Sequence, residues 1–300
     1  MTAAPPGPVG LCVVDKPSGW TSHDVVARSR GLLGTRKVGH AGTLDPLATG
    51  VLVLGVGRAT KLLTFLGGLP KTYRATVRLG VETDSLDADG EVTATHAMEA
   101  PDESVVRAAA AGLTGDLLQV PPMVSAVKVG GRRLHQLARE GKEVERAPRP
   151  VAVTRFEIAA TPDPMVWEAE VDCSAGTYVR VLAADLGRAL GGGAHLAALR
   201  RTAVGPFTID EARPLDEVGP DALLPPSAVT RVLEHRLVGA EVAAAVANGA
   251  VLPVDALGLD DEDPSTVPGP VAVLDPQGDL LAVYAWHRAG TLKPAFVLAP

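Results

Sequence analysis

The segment TYRATVRLG, residues 72–80, constrains the architecture more than any other stretch of the chain. Tyr73, Ala75, Val77 and Leu79 fall on one side of an extended backbone and Arg74, Thr76 and Arg78 on the other. That period of two marks a strand with one buried and one wet face. Such a strand is stable only within a sheet that has something packed on its apolar side. Partners for it are the apolar strand LCVVDK, which ends in the Pro17-Ser18-Gly19 turn, the continuous run VLVLGVG (51–57), and the stretch from Val166 to Cys173. Helices to cover the sheet are legible too. Thr21 with Asp24 three residues on reads as an N-cap and its reciprocal acid, with Val25, Val26, Leu32 and Leu33 as the apolar side and Gly34 as the stop. Residues 59–66 and 101–113 read as further helices, and Leu182, Leu186 and Leu190 mark one beginning near Thr177. The pattern predicts an α/β protein.

At 300 residues and 46% apolar, the chain can hold one large domain and one small one. The composition shifts after Pro225, residues 259–270 are acidic and Pro-rich, and 271–287 reads as two strands joined at Pro276-Gln277-Gly278. We expect a large domain over 1–234 and a small β-rich one over 235–300. The 119–151 stretch, basic and punctuated by Pro and Gly, reads as a long binding loop. DSLDADGE (84–91) resembles a calcium loop only until Gly90 is aligned with that loop's glycine, which leaves His96 where an acid is required. It reads instead as an acidic turn between strands.

Charge narrows the class of partner. The net charge of −7 conceals segregation: the only acids in residues 1–80 are Asp15, Asp24 and Asp45, the 81–120 block carries a single base, Arg107, and 121–155 is basic again. Two basic blocks around an acidic one are either solvated faces or a convergent groove for a polyanion. Within the first block, GHAGTLDPLATG (39–50) presents Asp45 among glycines and apolar residues. Before Pro46 it reads either as a helix N-cap or as a carboxylate that some chemistry requires, because an acid on a phosphate-binding surface weakens binding. His40 reads as a loop histidine or a stacking ring, and Tyr73 as core or as a base platform. Arg180, a cation in the first turn of a helix, opposes the helix dipole and either snorkels to solvent or meets an anion. If that anion is Asp45, the guanidinium should hold the carboxyl ionised with a lowered pKa.

The longest apolar runs fall short of the ~18 residues of a membrane span, and MTAAPPGPVG has neither the n-region nor the h-region of a signal peptide, so the expected location is the cytoplasm. Cys12 and Cys173 have no C-x-x-C neighbour and are expected as buried thiols.

KVGHAGTLDPLATGVLVLGVGRATK, KTYRATVRLG with TDSLDADG, and CSAGTYVRVLAADLG with GAHLAALRR together resemble the bacterial TruB family of tRNA pseudouridine-55 synthases, in order and spacing, over residues 9–215. The resemblance implies the pseudouridine synthase fold, a central mixed, largely antiparallel sheet flanked by helices, with a small PUA-like C-terminal domain. It implies isomerisation of a uridine in the T-loop of tRNA by a monomer that binds T-loop and T-stem, with no cofactor and no metal. Asp45 would be the catalytic aspartate, as nucleophile or as stabiliser of the separated sugar. Tyr73 would stack on the flipped base and help remove its C5 proton, and Arg180 would pair with Asp45. His40 would fill the space the base leaves, Tyr178 and Leu199 would line the pocket, and Lys16 matches a family lysine near the site. Arg200 and Arg201, with Lys37, Arg74, Arg78 and the 128–149 segment, would serve phosphates, the basic loop of about 121–150 acting as an RNA-gripping arm. PPMVSAVK lacks the aromatic of many members, and the acidic C-terminal region would grip RNA weakly. The rival reading is a non-catalytic RNA-binding or RNA-folding module, which would gain from losing Asp45.

Overall fold

The computed structural model describes residues 7–125, 127–259, 269–288 and 290–298. Residues 260–268 of the acidic Pro-rich stretch and the terminal 299–300 lie outside the described residues.

A ten-stranded sheet forms the body. Its path runs Arg213–Pro214, Gly10–Lys16, Thr49–Val56, Ala194–Val204, Lys71–Leu79, Val166–Cys173, Arg149–Ala160 and Gly115–Gln119. Along that path only the first pair and the pair Thr49–Val56 with Ala194–Val204 are parallel, so the sheet is mixed and largely antiparallel. The Thr49–Val56 strand is buried on both faces. Val51 and Val53 enter one apolar cluster, Leu52, Leu54 and Val56 another, which is why its sequence is continuously apolar rather than alternating. Lys71–Leu79 keeps its alternation. Tyr73, Ala75, Val77 and Leu79 pack beneath helices Glu103–Ala111 and Val179–Ala189, while Arg74 and Arg78 leave on the opposite face and pair with Glu170 and Asp163. Those two arginines therefore lie on the solvent face of the sheet, opposite the face that carries Tyr73.

Helix Ser22–Leu32 opens with the expected capping box of Thr21 and Asp24. No helix follows Asp45. Residues 42–48 instead connect strand Val38–Ala41 to Thr49–Val56, because the carbonyls of Leu44, Pro46 and Leu47 are engaged by Ser22, Lys16, Gly19 and Ser18 and none is left for a helical ladder. Val38–Ala41 pairs with Thr49–Val56 from Val56 back to Val53, and below that point Ala194–Val204 takes over the same edge, at Thr49 and Gly50. Gly50 is obligatory there. Its φ is +100°, and a Cβ would sit 2.2 Å from the Arg201 carbonyl oxygen.

The 121–150 segment is less irregular than expected. It holds a hairpin of Lys128–Val129 with Arg132–Arg133 and a helix Leu134–Arg139. Its own acids take up part of its charge, Glu140 pairing with Arg132 and Lys142 and Glu143 with Arg146. The side chains of Lys128, Arg133 and Arg139 lie outside the described residues.

A second, five-stranded sheet begins at His235 and runs in the order His235–Leu237, Val271–Leu274, Leu280–Arg288, Thr291–Val297, Leu252–Pro253. Val271, Val273 and Tyr284 pack on one side with Val246 of helix Ala240–Ala247. Ala272, Leu274 and Val283 pack on the other with Leu62, Leu66 and Val229 of the body. Cys12 and Cys173 are free and buried. Among the described residues no helix is long and apolar enough to cross a membrane.

Candidate active site

The loop that carries Asp45 is held almost entirely by its backbone. The guanidinium of Arg201, 1% exposed, donates to the carbonyls of Val51 at 2.7 Å, Gly42 at 3.1 Å and Thr43 at 3.5 Å, pinning both ends of the loop. Lys16, fully buried, donates its ammonium to the carbonyls of Pro17, Trp20 and Pro46. Ser22 Oγ donates to the Leu44 carbonyl and accepts from the Leu44 amide. Each cation satisfies carbonyls that burial would otherwise strand, and none of these bonds uses the Asp45 side chain. It projects instead into a cavity of about 250 Å³ lined by Tyr73, Tyr178, Arg180, Leu199 and Arg201.

Arg180 closes one side of that cavity. Its side chain is 3% exposed, and its fork donates to Asp45 at 3.2 Å, to Asp87 at 3.4 Å, and to the carbonyls of Ser85 (3.3 Å) and Val124 (2.7 Å). One guanidinium thus serves two carboxylates. Asp87 comes from the acidic 84–91 turn, which docks on strand Ala194–Val204 through Ala88 N to Leu196 O and Leu196 N to Leu86 O. Leu86 adopts φ 65°, strain for a branched side chain, to turn Asp87 inward. Asp87 is fixed there by the Ser85 hydroxyl at 2.5 Å and the Asp89 amide at 3.2 Å.

The electrostatics differ from expectation. Burial pushes the Asp45 carboxyl above the ordinary carboxylate range; Arg180 pulls it down by less, and the neighbouring charge of Asp87 adds to the rise. A shared guanidinium does not outweigh the loss of water. Burial likewise raises the Tyr73 phenol, against the pull of Arg201, so Tyr73 stays protonated at neutral pH. It lowers the Lys16 ammonium to about 8, with Asp45 opposing, and lowers His40.

Asp45, Tyr73, Tyr178, Arg180, Leu199 and Arg201 are brought together around the cavity; Lys16, His40 and Arg200 are not. Lys16 is sealed beneath the loop, so its contact is with the protein backbone and not with a ligand. Arg201 is spent on carbonyls at the cavity wall, which removes it as a free phosphate-binding cation, whereas Arg200 is part-exposed and paired with Asp15 at 2.7 Å. His40 is half-buried on its strand, its ring edge-on to His23. Asp87 and Gln119 are the residues that sequence reasoning missed. Gln119, buried, clamps both the amide and the carbonyl of Tyr178, which places that ring at the cavity mouth, 5.9 Å from the Arg180 guanidinium. The anion that a cation in a helix's first turn requires was the signal for Asp87.

The family model for the N-terminal domain of TruB family pseudouridylate synthases matches residues 30–179, and that for the C-terminal domain of tRNA pseudouridylate synthase B matches 180–243. The chain belongs to the TruB family. Relatives named tRNA pseudouridine synthase B match it along nearly its whole length: the one from Arthrobacter sp. (strain FB24) is 47% identical with 97% of each chain covered, and that from Nocardia farcinica is 49% identical with 97% of this chain and 94% of the relative covered. Among solved structures, a chain of a Cbf5–Nop10–Gar1 complex superposes with a TM-score of 0.70 at 27% identity, over 97% of this chain and 84% of that one. The pseudouridine synthase fold is thereby established, as the sequence resemblance implied. The boundary between the two TruB models falls inside helix Val179–Ala189, so Asp45, Tyr73 and Tyr178 come from the first and Arg180 and Leu199 from the second.

Proposed function

We infer that the chain is a tRNA pseudouridine synthase that isomerises the uridine at position 55, in the T-loop. The observation that carries this is Asp45, a carboxylate aimed into the cavity beside Arg180 by a loop that Arg201, Lys16 and Ser22 hold through its backbone. The target base must leave its stack before C1′ can be reached. Tyr73 would lie against its face, with Leu199 and Tyr178 completing the slot, and the apolar lining would offset part of the unstacking cost. Asp45 then meets C1′ as the bond to N1 breaks, either bonding to the sugar or stabilising its positive charge. The uracil turns, C5 bonds to C1′, the C5 proton leaves and N1 takes up a proton. Atoms and charge balance within one nucleotide, so no cofactor or metal is required. A neutral Tyr73 suits stacking and relaying that proton through its hydroxyl better than acting as a standing phenolate base.

Residues 1–234 would be the catalytic domain, since they supply every cavity side chain, and 235–300 an acidic PUA-like accessory that adds little RNA affinity. The cavity is complete within one chain, in keeping with a cytoplasmic monomer acting on T-loop and T-stem.

The test is release of tritium from tRNA labelled at C5 of uridine, with the modified position mapped afterwards. One label released per tRNA at position 55 is the expected result. RNA binding without release would leave a non-catalytic RNA module. The rate should also fall on acidification as Asp45 takes up a proton, with a midpoint above the ~3.9 of an unperturbed aspartate, because its pKa is raised. A pH–rate profile with an acid limb at or below that value would contradict the role given to Asp45.

A further inference from the structure

We propose that Trp20, with His23 beside it in the chain, is a stacking platform for a nucleobase of the substrate RNA other than the one being isomerised; this rests on the reading of the cavity as a pseudouridine synthase site. Three observations converge. First, aromatics make up only 3% of the chain, and Trp20, 38% exposed, is the one Phe, Trp or Tyr among the described residues that is exposed. A lone exposed ring is unremarkable by itself. Its position is the second observation. The Pro17–Ser22 turn is tied to the Asp45 loop by Gly19 N to Pro46 O at 2.9 Å, by Ser18 Oγ to Leu47 O, by Ser22 to Leu44, and by the Lys16 ammonium, which joins the carbonyls of Trp20 and Pro46. Trp20 is therefore held one ammonium away from the peptide next to Asp45, and the turn cannot shift without the loop.

The third observation is a neighbouring pair of rings. His23, exposed and three residues after Trp20, meets His40 edge-on with centroids 5.5 Å apart, and His40 stands on the strand that leads into the Asp45 loop. Trp20, His23 and His40 thus attach to the two segments that frame Asp45. The acid of this turn, Asp24, is occupied by the helix cap, accepting from the Thr21 amide and hydroxyl, so its charge is engaged within the turn. A π-face beside a base-extruding site suits an unpaired neighbour of the extruded nucleotide, because every base offers a face to an aromatic ring.

Trp20→Leu and Trp20→Phe, made in the full chain, separate a stacking face from mere bulk. With tRNA as substrate, Trp20→Leu should raise KM about ten-fold while kcat stays within about two-fold of wild type, and Trp20→Phe should recover most of the loss. On addition of a T-stem-loop RNA, the tryptophan emission of wild type should be quenched; the Trp20→Phe protein, which retains Trp167 and Trp286, should show little quenching. Equal KM values for Trp20→Leu and wild type, or quenching that survives in Trp20→Phe, overturn the proposal. Absence of tritium release from every tRNA by the wild type would instead overturn the functional reading, and the quenching experiment still reports on the platform.

Discussion

Asp45→Asn is expected to abolish turnover, lowering kcat by on the order of a thousand-fold or more, while leaving tRNA binding nearly unchanged. The amide keeps the shape of the carboxylate, and the loop does not need the charge, since Arg201, Lys16 and Ser22 hold it by its peptide groups. What is lost is the only carboxylate among the described residues that line the cavity, the group suited to bond to, or balance, an electron-poor sugar carbon. Removing an acid from an RNA-facing surface, if anything, favours binding. The variant should also be no less stable than wild type at neutral pH. Burial raises the folded-state pKa of Asp45, so the ionised form costs the fold stability above its unfolded pKa; asparagine removes that cost, and the difference fades as both forms become neutral in acid. Tritium release, filter binding and thermal unfolding on the same samples decide it. Turnover that persists in the variant would remove Asp45 from the chemistry.

Arg180→Gln should have the largest effect on the fold. The guanidinium is 3% exposed and answers Asp45, Asp87 and two backbone carbonyls. Without it, the buried Asp87 and the part-exposed Asp45 lose the cation they share, and breaking a buried pair such as Arg180–Asp87 from one side costs about 3–5 kcal/mol. The loss should be greatest near neutral pH and shrink on acidification, because unpaired carboxylates accept protons more readily. Adding Asp87→Asn should restore much of the stability and none of the activity, since Asp45 still lacks its cation. If the double variant is as unstable as the single one, charge repulsion is not the cause of the loss.

The sheet was legible because its signals are local. The alternation from Tyr73 to Leu79 needs no partner to be read, and Asp45 stood out because its neighbours are of the wrong sign and kind. The cations misled for a physical reason. A lysine or arginine that caps buried carbonyls has the same letter as one that binds a phosphate, and only tertiary burial separates Lys16 and Arg201 from the exposed bases. Asp87 was hidden in a similar way: its inward turn depends on docking against Leu196, more than a hundred residues along the chain. The N-cap reading of Asp45 failed because side chains of the preceding turn claim the carbonyls on which a helix would depend.

The apolar cluster beneath the second sheet has a bearing on how the chain can be cut. Ala272, Leu274 and Val283 share one interior with Leu62, Leu66 and Val229, so the second sheet and the helical segments of the body line one another. A truncation at residue 234 would strip that lining and leave an oily wound on the catalytic body. The second sheet, whatever its grip on RNA, is therefore expected to melt together with the catalytic body in a single transition.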